Sequence, residues 1–160
     1  MATRNNVTRF LDAKKVPYEA FELPADQKSG ALETAQRLGI PPEMVFKTIV
    51  IVRTGKGKPI LALVPAPAEA DLKLVAAALN EKKVTLPTQR EAEQLTGLQA
   101  GGISPLALIN KGFQVLVDES ANNFSEIHIS GGQRGLNIRL PVQALLQLTN
   151  GKIARISTKS

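Results

Sequence analysis

Lys47 stands alone as a cation at the head of an apolar run, Thr48-Ile49-Val50-Ile51-Val52. A lysine where a buried strand begins can lay its stem along apolar surface and point its ammonium into a cleft at the sheet edge. Most lone lysines are solvated surface, and position alone leaves both readings open. Two glycine pairs follow in the second half of the chain, Gly101-Gly102 leading into Ile103-Ser104-Pro105, and Ser130-Gly131-Gly132. Such pairs can leave amide N–H groups uncovered and admit a ligand close to the main chain. That suits a site gripping an ester or carboxyl-derived group by hydrogen bonds instead of by a side-chain nucleophile. Lys47 would be the only fixed charge of that pocket. Gly101 and Gly102 could equally form a tight turn before Pro105, and the two roles are compatible.

The stretch 126–130 alternates, so that Ile127 and Ile129 face the core while Glu126, His128 and Ser130 share the opposite face. A hydroxyl beside exposed amides is what an oxyanion or amino-group receptor needs. A Ser130–His128 catalytic pair is rejected, because residues two apart on a strand are ~6.5 Å apart along the backbone, too far for the bond that activates a serine. His128 is expected to be an exposed strand residue.

Composition removes several classes of chemistry. Cysteine is absent and His128 is the single histidine, so disulfides, thiolate nucleophiles and Cys/His metal sites are excluded and neither metal nor cofactor is expected. No apolar run approaches the ~20 residues a membrane helix needs, and residues 1–15 carry no signal-like apolar segment, so a soluble cytoplasmic protein is expected. The net charge of +6 favours a polyanionic partner, although scattered solubilising charge would look the same. Aromatic residues make up 4% and do not interleave with the basic ones, which argues for backbone or end recognition of RNA over base stacking.

The elements that must position these groups follow from periodicity and punctuation. Helices are predicted over about 5–15, 31–38 (closed by Gly39), 72–79 (capped by Asp71), 89–95 (ended by Gly97) and 142–148. Strands are predicted over 18–23, 83–86, 113–118, 126–130, 136–140 and 152–157, with 48–52 and 60–64 pairing as a hairpin across Gly55-Lys56-Gly57-Lys58. Strands interleaved with helices over 160 residues imply one α/β or α+β domain, residues 1–160, around one mixed sheet.

Three ordered segments carry a family resemblance: Val45-Phe46-Lys47-Thr48, Thr96-Gly97 with Gly101-Gly102-Ile103-Ser104-Pro105, and Ser130-Gly131-Gly132-Gln133-Arg134-Gly135-Leu136-Asn137-Ile138. The chain resembles the YbaK/EbsC proteins, free-standing aminoacyl-tRNA deacylases similar to the editing domain of bacterial prolyl-tRNA synthetase. The resemblance implies a curved, barrel-like mixed sheet with helices outside. It also implies that Lys47 is the central catalytic residue, binding and polarising the substrate ester or terminal ribose. Phe21, Gly101, Gly102, Ile103, Ser104, Ser130, Gly131, Gly132 and Asn137 would then contact substrate.

The implied reaction clears cysteine from tRNA(Pro), with the cysteinyl thiol as attacking group, aminoacyl-tRNA as substrate and prolyl-tRNA synthetase as partner. A deacylase for alanine or serine, or a non-catalytic RNA-binding module, are the alternatives. Three departures from the family pattern bear on specificity. Asn137 stands where aspartate is usual, Phe21 stands where some relatives have tyrosine, and the loop Asp26-Gln27-Lys28-Ser29-Gly30 lacks an aromatic residue.

Overall fold

The computed structural model describes residues 4–24 and 30–159. Its helices are α1 (Asn6–Ala13), α2 (Ala31–Leu38), α3 (Leu72–Ala78), α4 (Gln89–Thr96) and α5 (Val142–Thr149). The strands are β1 (Glu19–Glu22), β2 (Phe46–Arg53), β3 (Ile60–Pro65), β4 (Ala68–Ala70), β5 (Val84–Thr85), β6 (Gln114–Asp118), β7 (Glu126–Ser130), β8 (Leu136–Pro141), β9 (Lys152–Ala154) and β10 (Ser157–Lys159).

The predicted helix boundaries rest on caps that are present. Asn5 accepts from the Thr8 amide, Asp71 from the Leu74 amide and Thr88 from the Glu91 amide, while Gly39 and Gly97 close α2 and α4 in the left-handed conformation. The expected hairpin is also present: β2 and β3 pair antiparallel from Phe46↔Pro65 to Ile51↔Ile60.

A five-stranded mixed sheet runs in the order β5-β2-β3-β6-β9, and an antiparallel three-stranded sheet in the order β1-β8-β7. An isolated parallel bridge, Val45↔His128, joins them. Among the described residues the ladders do not close on themselves, so the mixed sheet is present without barrel closure. The alternation of β2 divides the core into two layers. Phe46 and Val50 face a layer with Leu61, Leu63, Val115, Val117, Ile127, Ile129, Ile138 and Leu140, which α1 and α5 cover through Val7, Leu11, Val142 and Leu145. Ile51 joins Ile60, Ala62, Val64, Val75 and Leu116 in the second layer, where α3 packs. Ala35 of α2 meets Val45 and Ala66 at the head of β2, which sets α2 beside Lys47.

The last residues are docked by a buried carboxylate. Asp118 accepts from the Ile156 amide at 3.1 Å and the Ser120 amide at 3.2 Å. Burial alone would push its carboxyl up, but hydrogen bonding from the side chain and amide of Ser120, the Ile156 amide and the Ser157 side chain outweighs it and holds the pKa below the usual value.

Candidate active site

A cleft of about 330 Å³ opens at the head of β2, within the size range of small-molecule sites. Lys47, Thr48 and Ile49 of β2 line it, with Ala31 and Thr34 of α2, Gly101 and Ile103 of one glycine loop, and Ser130, Arg134 and Asn137 from β7, β8 and the loop between them. Three parts of the chain remote in sequence are thereby assembled around one space.

Lys47 pairs with Val64 in the hairpin, and its side chain is 26% exposed. Its ammonium donates to the Ala66 carbonyl at 3.2 Å and lies 3.8 Å from the Glu69 carboxylate. One hydrogen bond and one loose ion pair fix the group in place and leave donor capacity for a ligand. Arg134 brings a second cation to the cleft lining, so Lys47 is not the only fixed charge there. The Arg134 Nε donates to the Ala100 carbonyl at 2.7 Å, which ties the loop after β7 to the loop before Ile103.

The two diglycine bends adjoin. A Cβ built on Gly102 would lie 2.9 Å from backbone atoms of Gln133 and Arg134, so the loops touch main chain to main chain. This use of glycine differs from an open amide cradle. The Gly102 amide donates to the Gln99 carbonyl, the Gly131 amide to the Leu136 carbonyl and the Gly132 amide to the Ser130 hydroxyl. Gly102, Gly131 and Gly132 do not line the cleft. Gly131 is packed against Leu136 and Gly132 against Val7, where added Cβ atoms would come within 2.6 Å and 2.9 Å of those side chains. The amides of Gly101 and Ile103, both on the cleft, make no hydrogen bond to another described residue.

The remaining expected site residues divide in the same way. Ser130 lines the cleft, and its hydroxyl reaches the Gly101 carbonyl at 3.5 Å while accepting from Gly132 at 3.3 Å. Ser104 is fully buried off the cleft and accepts from the Leu106 amide. Phe21 also lies off the lining, across the β1-β8-β7 sheet in register with Asn137, its ring 5.5 Å from that of His128 and 5.8 Å from the Arg139 guanidinium. The departures noted at residues 26–29 fall outside the described residues.

His128 overturns one expectation. It shares a face with Glu126 and Ser130 as predicted, but it is 1% exposed, because Phe21 of β1 and Asn137 of β8 cover it and Val45 bridges its backbone. Its Nδ1 lies 2.8 Å from the Asn137 Oδ1. Burial pushes its pKa down, the nearby Arg139 adds to that, and the bond to Asn137 with Glu126 and Glu19 oppose it. With the ring turned to Asn137, no hydrogen bond joins His128 to Ser130 among the described residues. The hydroxyls of Thr34, Thr48 and Ser130 on the cleft therefore have no histidine base beside them. Arg134 and Thr48 were not among the expected site residues, although both stand inside the segments that carry the family resemblance.

A model of the aminoacyl-tRNA editing domain matches residues 26–148. A relative from Enterococcus faecalis, named "Putative Cys-tRNA(Pro)/Cys-tRNA(Cys) deacylase EbsC", is 38% identical over 157 residues, covering 98% of this chain and 94% of its own. Among solved structures, one described as a hypothetical protein superposes with a TM-score of 0.86 at 19% identity, covering 96% of this chain and 100% of its own. Another, "a putative trans-editing enzyme for prolyl tRNA synthetase", superposes with a TM-score of 0.77 at 24% identity, covering 98% and 99%. At those identities the superpositions speak for the fold alone.

Proposed function

The chain belongs to the aminoacyl-tRNA editing domain family, and on that footing we propose that it is a deacylase clearing a wrongly attached small amino acid, cysteine on tRNA(Pro), with the scissile ester held beside Lys47. The observation that carries this reading is the anchored Lys47 ammonium in a cleft whose hydroxyls lack a histidine base. An ester placed there finds a cation for its carbonyl or ribose oxygen and, as further donors, the amides of Gly101 and Ile103, which donate to no other described residue. Orientation of reacting groups can lower a barrier by about 7–11 kcal/mol, and each preorganised donor adds about 3 kcal/mol.

The attacking group then comes from the substrate. The cysteinyl sulfur bonds to its own ester carbonyl carbon, the bond from that carbon to the ribose oxygen breaks, and the thiol proton ends on the ribose hydroxyl. The products are a cyclic thiolactone and free tRNA. Pocket walls alone separate side chains differing by one methylene-sized group by only about 1–3 kcal/mol, so chemistry that needs a thiol supplies discrimination that shape cannot. Prolyl-tRNA synthetase, working alongside in the cytoplasm, would supply tRNA identity. Among the described residues no helix is long and apolar enough to cross a membrane.

The test compares release of amino acid from Cys-, Ala- and Ser-tRNA(Pro) by the wild type and by Lys47→Ala. The expected result is thiolactone from Cys-tRNA(Pro) alone and a loss of at least about 100-fold in Lys47→Ala with an unchanged melting temperature. Comparable release of alanine or serine would replace the thiol route with attack by water. No release from any ester would leave an RNA-binding module.

A further inference from the structure

The far end of the five-stranded sheet carries a charge pattern that the cleft does not use. Lys56 and Lys58 sit in the β2–β3 turn, and Lys82 and Lys83 lead into β5, all four exposed. The fold draws these segments together around Arg53. The Arg53 Nε donates to the Lys58 carbonyl at 2.9 Å, and Thr54 donates to the Lys83 carbonyl at 3.2 Å. Exposed Lys111 stands apart: Gly112 beside it lies 4.0 Å from the Lys58 side chain, but the Lys111 ammonium lies 3.9 Å from Gly97 at the end of α4, each measured from a Cβ built on the glycine. No aspartate or glutamate occurs in 53–60, 82–89 or 108–117, and Glu81 at the border is already paired with Arg53 at 3.1 Å. Four lysines on a hydrogen-bonded platform, with the bordering Glu81 already paired to Arg53, differ from the interspersed charges of an ordinary solubilising surface.

We propose that this lysine-rich end of the sheet grips the phosphate backbone of the RNA stem whose 3′ end occupies the cleft. The inference rests on the reading of the cleft as a site for the ester end of tRNA. Arg53 lies six residues beyond Lys47 on β2, roughly 20 Å at the usual rise of a strand, so the cleft and the platform stand at opposite ends of one rigid hairpin. The unpaired 3′ terminus of a tRNA would cover the interval and set the duplex against the lysines. Lysine ammonium groups hold phosphates as point charges and read no bases, which suits an enzyme that takes tRNA identity from elsewhere.

The experiment uses the full chain with Lys56, Lys58, Lys82 and Lys83 all changed to Gln, and in parallel all changed to Arg. Two probes are used: a non-aminoacylated acceptor-stem RNA hairpin ending in CCA, and a cysteinyl ester of adenosine alone. Each lysine that neutralises a phosphate contributes about 0.9 to the slope of log affinity against log salt. The Gln variant should therefore lose about 3 to 4 of that slope and at least about 10-fold in hairpin affinity, while the Arg variant keeps both. Cleavage of the adenosine ester should be the same in all three proteins.

If the four-site Gln variant fails to fold, the double variants Lys56→Gln/Lys58→Gln and Lys82→Gln/Lys83→Gln should each remove about half the slope change. Unchanged hairpin affinity and slope in the Gln variants would overturn the proposal. Absence of ester cleavage in the wild type would sink the deacylase reading, and hairpin binding would still decide the lysines.

Discussion

Gly102 and Arg134 meet backbone to backbone: a Cβ on the glycine would stand 2.9 Å from the Arg134 amide nitrogen, and the Arg134 side chain reaches back to the Ala100 carbonyl. The two loops that frame the cleft are thus held as one unit by a contact that only glycine permits. Rigid framing matters because a donor about 1 Å out of place loses most of its benefit to a transition state.

Gly102→Ala tests that seam. The neighbouring atoms are main chain and cannot rotate away, so the loops must part, at a cost of about 1–3 kcal/mol. Denaturant unfolding should show that loss with an unchanged m value. Deacylation should fall more steeply than stability, because Gly101 and Ile103 move with the strained loop. A variant with full stability and full activity would show that the seam is slack.

Sequence reasoning recovered what local chemistry decides. The caps at Asp71, Gly39 and Gly97, the β2–β3 hairpin and Lys47 at the head of β2 were all legible, since each depends on a few neighbouring residues. The glycine pairs were legible as places of close approach, yet sequence cannot say what approaches. In this fold it is another loop at Gly102 and packed side chains at Gly131 and Gly132. His128 shows the same limit. Alternation gave its face correctly, but the residues covering that face come from β1 and β8, more than 100 residues apart in the chain. The short strand β4 was missed because its partner is the distant β10.

The buried histidine makes stability depend on pH in a defined direction. His128 has a folded pKa below its unfolded value near 6.5, so the unfolded chain binds a proton that the folded one refuses. Its contribution is therefore fully present above about pH 6.5 and is lost as pH falls from there through the folded pKa. Burial sets that lower value and Arg139 adds to it, while Asn137, Glu126 and Glu19 act against it. His128→Gln can still hydrogen-bond Asn137 and does not titrate, so its unfolding free energy should stay flatter than that of the wild type below pH 6.5. Parallel curves for the two proteins would show that the imidazole protonates without resistance in the fold.

Thr48 adjoins Lys47 on β2 and lines the cleft, yet its hydroxyl oxygen is buried without a hydrogen-bond partner among the described residues. A buried hydroxyl left unpaired costs about 1–3 kcal/mol, and valine keeps the branched shape that suits a strand. Thr48→Val should therefore raise stability by about 1 kcal/mol in denaturant unfolding. If the hydroxyl is kept to meet a polar group of the substrate, the same variant raises KM for the aminoacyl ester while its fold tightens. A more stable protein with unchanged KM would assign the threonine to the strand alone. A less stable one would mean that the hydroxyl finds a partner in solution, and the unpaired oxygen would then explain nothing about the cleft.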